Sequence, residues 1–256
     1  GTDPAQTKNI GNEGNGITLY QCFNETNITE NIIGGNGKNG IRVYDDMTRD
    51  VFIKDNHIGV FSDNERIGNK ENGILLNDGA KEVEIENNII SSNGEHGVKI
   101  EDETTSKISL MDNYIGMGVD GDNPRSNQSG GVLIENAPDN AVGFSAAEGS
   151  EDPEVKGNVL SGNKHFGIKI TGKKATGNIL YGNNIGSGKN GQWAAFDKVS
   201  ENLKGVVINQ AGSVNIGGKK EDQGNLISGN SINIKIQNTQ TQYVRIAGNI
   251  IGSNAD

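Results

Sequence analysis

The sequence predicts an all-β fold, a single parallel β-helix (a solenoid) of about eight coils with three short strands in each coil. Two short motifs recur along the chain. Gly, Asn and Asp, which interrupt helices, recur between short pairs of aliphatic residues, and no segment shows the apolar spacing of an amphipathic helix. The 256 residues include 38 Gly and 36 Asn, and 32% are hydrophobic. A long thin core with many exposed turns accommodates this composition.

The first motif is a Gly followed by an aliphatic residue, any residue and a second aliphatic residue. Its copies are residues 16–19, 40–43, 73–76, 97–100, 131–134, 167–170, 205–208 and, with Asn in place of Gly, 233–236. Gly and Asn best tolerate a positive φ, which predicts a left-handed turn conformation at this position before each strand. Because side chains alternate along a strand, both aliphatic residues share one face and the residue between them points outward.

The second motif is an aliphatic residue, two further residues, an Asn, one residue and another aliphatic residue. Its Asn residues are Asn31, Asn56, Asn88, Asn113, Asn158, Asn183, Asn225 and Asn249. In the copy of this motif around Asn158, the first aliphatic residue is Val155. In the copy around Asn225, Asp222 replaces the first aliphatic residue. Coils stacked about 4.8 Å apart would place each Asn over the next, so that their amides form a hydrogen-bonded ladder.

Residues 157–163 (GNVLSGN) and 224–230 (GNLISGN) carry a resemblance to a known group. They resemble the right-handed parallel β-helix proteins of the pectate-lyase-like superfamily, in particular bacterial extracellular repeats. The resemblance covers the whole chain and implies a right-handed coil and an extracellular or cell-surface location. It leaves the activity open, because the superfamily includes lyases, hydrolases, epimerases, adhesins and phage spikes.

Long polar loops follow alternate coils, at residues 60–72, 117–130 and 187–204, and residues 1–15 have the same character. We expect these loops to form one ridge, and two insertions at 136–154 and 209–223 to leave another corner. Neither end carries a polar cap. We therefore expect residues 1–256 to form one β-helix domain that adjoins further coils of the same polypeptide or associates end to end.

The net charge of −10 argues against nucleic acid or an anionic membrane as the main partner. No apolar run reaches the roughly 18 residues that a membrane-spanning helix needs. One cysteine, Cys22, excludes an internal disulfide framework and leaves the redox compartment open.

One outward position of the first strand carries a basic residue in alternate coils, namely Arg42, Lys99, Lys169 and Lys235. Such a row, with a repeat of about 10 Å, could bind an acidic polysaccharide such as a polyuronate. The alternative is a solvated strand face whose charges are balanced by nearby carboxylates such as Glu101 and Glu135. In the loop at 187–204, Trp193 and Phe196 could stack on a sugar ring or cover a gap between loop and coil.

Asp120, Asp122 and Asn123 have the oxygen density of a calcium loop, but the later bidentate Glu of an EF-hand is absent. The same residue types also form ordinary turns, and calcium is the only cofactor that the sequence suggests. The three histidines, His57, His96 and His165, have no metal-ligand spacing. His96 and His165 align with turn positions that hold Asn in other coils.

These patterns favour a non-catalytic β-helix that binds polysaccharide or acts in surface adhesion. One alternative is a polysaccharide lyase, hydrolase or epimerase with its groove along a β-face, although no residue is singled out as catalytic. The Asn-Thr-Asp turn of polygalacturonase-like hydrolases is missing. The other alternative is a structural stalk without a ligand.

Overall fold

The computed structural model describes residues 10–61, 66–145, 154–191 and 204–252. Within these ranges the chain forms three parallel sheets of eight strands each, in which every strand pairs with its equivalents in the neighbouring coils. The chain therefore winds through the three sheets in turn, which is a parallel β-helix of eight coils. One short 3₁₀ helix, Glu221–Gln223, interrupts the seventh coil.

The first sheet contains β1 (Ile17–Tyr20), β4 (Ile41–Tyr44), β7 (Ile74–Asn77), β10 (His96–Glu101), β13 (Gly130–Glu135), β16 (Phe166–Thr171), β19 (Lys204–Asn209) and β22 (Ile232–Gln237). The second contains β2 (Thr26–Thr29), β5 (Val51–Lys54), β8 (Lys81–Glu86), β11 (Ser106–Met111), β14 (Ala141–Val142), β17 (Ile179–Leu180), β20 (Asn215–Ile216) and β23 (Arg245–Ile246). The third contains β3 (Ile32–Ile33), β6 (His57–Ile58), β9 (Ile89–Ile90), β12 (Tyr114–Ile115), β15 (Val159–Leu160), β18 (Asn184–Ile185), β21 (Leu226–Ile227) and β24 (Ile250–Ile251).

The two motifs occupy the predicted places, but the positive φ predicted for the first-motif Gly is wrong, because none of these glycines has one. The position instead lacks room for a side chain: a Cβ at Gly40 would lie 2.7 Å from Gly73 O and 2.8 Å from Asn69 Nδ2. The first motif forms the first sheet, where Ile17 pairs with Ile41 and Ile41 with Ile74. The second motif runs through the second sheet, turns at its Asn and continues into the third sheet. The predicted fold, with three short strands per coil, is confirmed.

Two alignments within the second motif are wrong. In the fifth coil the second-sheet residue is Val142, which pairs with Leu110 and Leu180, and Val155 instead forms an antiparallel bridge with Phe144. In the seventh coil Ile216, not Asp222, holds the equivalent position. Both insertions therefore follow the second-sheet strand and leave the rod immediately before the Asn turn.

The core is a narrow column of aliphatic side chains between the three sheets. In the second coil it receives Ile41, Ile53 and Ile58, one from each sheet, and all three are fully buried. Later coils contribute residues at the same positions, such as Ile100, Leu110 and Ile115 in the fourth. Burial of such a side chain contributes roughly 1.5–3 kcal/mol, so each added coil lengthens a continuous core.

The predicted Asn ladder is present along the whole rod. Each side-chain amide donates from Nδ2 to Oδ1 of the next Asn, at 2.8–3.0 Å, through Asn31, Asn56, Asn88, Asn113, Asn158, Asn183, Asn225 and Asn249. The same Oδ1 atoms accept the backbone N–H groups of the preceding Asn residues at 2.9–3.1 Å. The ladder thereby satisfies turn groups that the sheets do not pair.

A second Asn ladder was not predicted. It runs through Asn12, Asn36, Asn69, Asn93, Asn127 and Asn163, with Nδ2 to Oδ1 distances of 2.7–3.0 Å. Each of these Asn residues stands four positions before the Gly that opens a first-sheet strand. That constant spacing is the signal in the sequence that could have revealed it.

We expect Asn113→Ala to lower the free energy of unfolding by about 3 kcal/mol or more. Asn113 is fully buried, accepts from Asn88 and donates to Ile85 O and Asn158 Oδ1, so truncation leaves several polar groups unpaired. Urea unfolding monitored by circular dichroism measures the change. Asn27→Ala, at an exposed Asn on β2, is the matched control and should change stability by under about 0.5 kcal/mol. Equal stability of the two variants would contradict the role of the ladder.

Candidate functional site

The outer face of the first sheet carries the predicted basic row. Strand pairing aligns the central outward positions in the order Thr18, Arg42, Leu75, Lys99, Leu133, Lys169, Val207 and Lys235. The four basic residues thus lie in one column with an aliphatic residue between successive members. Leu133 and Val207 are only 8% and 4% exposed, so neighbouring side chains cover most of their surface.

The two basic residues nearer the N-terminus are neutralised. The Arg42 guanidinium binds Asp78 Oδ2 at 3.0 Å and Asn77 Oδ1 at 3.2 Å, and it lies 4.2 Å from the centre of the Tyr44 ring. Lys99 Nζ lies 2.6 Å from Glu101 Oε2 and 3.8 Å from Glu135 Oε2. Burial opposes the charge on Lys99, but the Glu101 hydrogen bond and the nearby carboxylates hold its pKa above the ordinary value.

The other two basic residues are differently placed. Among the residues that the structure describes, no carboxylate forms an ion pair with Lys169 or Lys235. The same holds within those ranges for Lys204, which lies on β19 between Phe166 and Ile232. Thr171, Asn209 and Gln237 stack in the adjacent outward column, where earlier coils carry Glu101 and Glu135. Coils six to eight therefore present positive charge and uncharged hydrogen-bonding groups.

An aromatic ring lies in the middle of this face. His96, Gly130 and Phe166 occupy the same outward position in successive coils, and the imidazole and phenyl centroids are 5.8 Å apart. A Cβ built on Gly130 would lie 2.4 Å from Phe166 Cε2, so the absence of a side chain at Gly130 lets the phenyl ring lie over the strand. Lys169 Nζ is 6.0 Å from the centre of the Phe166 ring, at the outer limit of a cation–π contact.

His96 extends a third polar column, in which Asn39 donates to Asn15 and Asn72 donates to Asn39. His96 Nδ1 lies 3.1 Å from Asn72 Oδ1, and because that oxygen can only accept, Nδ1 carries the proton. Burial, followed by the charges of nearby Lys99 and Lys169, lowers the pKa of His96 to about 4. The imidazole is therefore neutral at pH 7.

The predicted alignment of the histidines with Asn39 and Asn72 holds for His96 and is wrong for His165, which lies in the bend one residue earlier. Phe166, not His165, pairs with Lys204 at the outward position that His96 shares with Gly130. The alignment erred because His165 lies one residue too far from Gly167. His57 lies on the third sheet, outside this face.

The predicted calcium residues form a compact turn. Asp120 accepts hydrogen bonds from the backbone N–H groups of Asp122 and Asn123 at 3.0 Å and from the Asn123 side chain. Burial would raise the pKa of Asp120, but these hydrogen bonds lower it below the ordinary value. In the described ranges no group of three or more His, Cys, Asp or Glu residues could hold a metal ion. Calcium binding here stays a prediction.

Trp193 and Phe196 lie outside the described residues, so their predicted contact with sugar also stays a prediction. The sequence pattern does not single out Lys204 and Phe166 as site residues. Both immediately precede a first-motif Gly, as Asn39 and Asn72 do, and that pattern predicts only a turn.

Comparison with protein families gives a match to the right-handed beta helix region over residues 51–202, which is more than half of the chain. The chain belongs to the right-handed β-helix family. Searches of curated proteins and of solved structures gave no match. Proteins that share a fold can differ in activity, so membership of this family does not identify the ligand of this β-helix. No helix in the described part of this β-helix is long and apolar enough to cross a membrane.

We expect the stability of this β-helix to depend on pH through His96. In the unfolded chain His96 takes up a proton below its ordinary pKa of 6.5, whereas in the folded protein it does so only at about 4. The neutral form therefore stabilises the fold above pH 6.5, and this contribution is lost as the pH falls from 6.5 towards 4.

Urea unfolding of the wild type and of His96→Gln across this pH range measures the effect. Gln keeps a hydrogen-bond donor for Asn72 but does not titrate, so the wild type should lose more stability than the variant. Parallel pH dependences of the two proteins would show that His96 makes no such contribution.

Proposed function

We propose that the first-sheet face binds a polysaccharide, with an acidic glycan as the preferred class, and that the protein is a non-catalytic binding or adhesion module outside the cell. The observation that carries this proposal is the single outward column of basic residues along the rod axis. A rigid β-helix holds them at intervals of about 10 Å, so a repeating polyanion could contact several at once. Weak individual contacts then add up to useful affinity.

The second half of this column supports the proposal most strongly. Lys169 and Lys235 lie without an ion-pair partner among the described carboxylates, and Lys204 adds a third ammonium group on the same sheet. The formal charge of the whole chain is −10, so these ammonium groups depart in sign from the chain as a whole. An acidic glycan would be attracted to this part of the rod and repelled from acidic parts, which favours a defined position.

Uncharged groups on the face could recognise sugar hydroxyls. Asn209 Nδ2 donates to Thr171 Oγ1 at 3.1 Å, and Gln237 extends this column by one coil. Phe166 provides an aromatic surface on the same strand, three residues before Lys169. Amides and hydroxyls beside an aromatic ring are the groups that commonly contact carbohydrate in protein sites.

A ligand-free stalk is the second candidate function. The ion pairs of Arg42 with Asp78 and of Lys99 with Glu101 favour it, because these basic residues already have partners. If the whole face serves only to keep the protein soluble, other polar residues could replace the lysines of coils six to eight without loss of function.

We expect Lys169→Gln/Lys235→Gln to weaken binding of polygalacturonate by about tenfold or more, because two charge-assisted contacts are lost. Calorimetry on the full chain at low salt measures affinity, and the wild-type affinity should fall as ionic strength rises. Lys81→Gln/Lys219→Gln removes the same charge at sites outside this column, on β8 and between β20 and the 3₁₀ helix, and is the matched control.

Three results would contradict the proposal. Absence of binding to polygalacturonate, alginate and sulfated glycans would favour the stalk. Equal weakening by the two double variants would indicate a nonspecific effect of charge. Formation of unsaturated uronate or of new reducing ends would show that the protein is an enzyme and not a binding module.

A further inference from the structure

A groove lies along the third sheet in coils two to four, away from the first-sheet face. Its floor consists of His57, Ile89 and Tyr114, which pair side by side on β6, β9 and β12. Val119, from the loop after β12, lines it as well. The cavity volume is about 400 Å³. An aliphatic side chain between two rings gives this floor an apolar centre.

The wall of the groove is a column of polar side chains at the turn before the Asn ladder. Asp55, Asn87 and Asp112 each precede a ladder Asn, in consecutive coils, with φ of 59°, 54° and 52°. The equivalent residues of coils five to eight are Gly157, Gly182, Gly224 and Gly248, which have no side chain to form such a wall. The groove therefore belongs to the first half of the rod.

The wall carries negative charge. Asn87 Nδ2 donates to Asp55 Oδ1 at 2.5 Å, so two side chains of the wall are hydrogen-bonded to each other. Burial, together with the charge of nearby Glu86, raises the pKa of Asp112, and the attraction of Lys156 offsets this only in part. The Asp112 carboxylate would therefore be stabilised by an additional cation.

The neighbouring lysines are engaged by other carboxylates. Lys54 Nζ binds Glu84 at 3.1 Å and Glu86 at 3.0 Å. Lys156 Nζ binds Glu86 at 2.9 Å and Glu154 at 3.6 Å. With the two Asp residues of the wall, carboxylates outnumber ammonium groups in this region, so its potential favours a cation and opposes an anion.

We propose that this groove binds a sugar unit that carries a free ammonium group, that is, an unacetylated hexosamine residue of a glycan. The apolar C–H face of the pyranose ring lies on Ile89, between the rings of His57 and Tyr114. The ammonium group donates to Asp112, and ring hydroxyls contact Asp55 and Asn87. This site is separate from the first-sheet face and has the opposite charge preference.

A metal ion fits the groove poorly. Asp55 and Asp112 are two coils apart, about 10 Å along the rod, whereas calcium ligands lie 2.3–2.6 Å from the ion. One ion could not contact both carboxylates. A ring of sugar dimensions with polar groups on its edge can contact both the floor and the wall.

The test compares chitosan tetrasaccharide with its fully N-acetylated form and with 1,4-diaminobutane, by calorimetry on the full chain. We expect binding of the chitosan tetrasaccharide, and binding at least about tenfold weaker for the other two probes, since one lacks the charge and the other lacks the ring. Asp112→Asn should weaken chitosan binding by about tenfold, because it removes the charge-assisted hydrogen bond and preserves side-chain shape.

Asp50→Asn is the matched control for Asp112→Asn. Asp50 and Asp55 flank the same strand, β5, and both have positive φ, but Asp50 lies outside the groove. Asp50→Asn should leave chitosan affinity within about twofold. Lys169→Gln/Lys235→Gln, on the first-sheet face, should not weaken chitosan binding, which separates this site from the one in the proposed function.

Several results would overturn the inference. Equal affinity for diaminobutane would show an amine site without sugar recognition, and equal affinity for the acetylated tetramer would remove the role of the ammonium group. Absence of chitosan binding, or equal loss in Asp50→Asn and Asp112→Asn variants with unchanged urea unfolding curves, would also contradict it.

Discussion

Hydrogen bonding between equivalent residues of successive coils is the interaction on which the rest of this structure depends. Parallel strand pairing satisfies the backbone within each sheet, but the corners leave polar groups without partners. The two Asn ladders satisfy corner groups in the same repeating manner, since each amide both accepts from one coil and donates to another. Because burying an unpaired polar group is costly, coils are held in one register.

Because the coils share one register, the position of a residue within the repeat determines where its side chain lies on the outer surface. A residue that recurs at one position of the repeat becomes a column along the rod, as the basic row on the first sheet illustrates. The same stacking also forms surfaces of opposite character. Positive charge lies on the first sheet in coils six to eight, whereas the groove at Asp55 and Asp112 lies in coils two to four. One rigid rod can in this way hold two differently charged surfaces apart.

The sequence pattern assigns Val155 and Asp222 to second-sheet positions that the structure gives to Val142 and Ile216, and the two errors have a common physical cause. A second-sheet strand can be as short as two residues, so many aliphatic residues could fill one inward position, and an insertion makes the choice ambiguous. Val142 and Ile216 take these positions because they pair in register with Leu180. Pairing across coils, which local spacing cannot reveal, decides between candidates such as Val142 and Val155.

The sequence by itself determined the fold class, the number of coils and the first Asn ladder, because those features follow from periodicity and from the preference of Asn and Gly for turns. It also placed Arg42, Lys99, Lys169 and Lys235 in one column. Only the tertiary structure decided which of these charges are neutralised, since Asp78 approaches Arg42 from the next coil. The groove was likewise decided by stacking, because its wall and floor come from residues that lie far apart in the chain and meet only when the coils are in register.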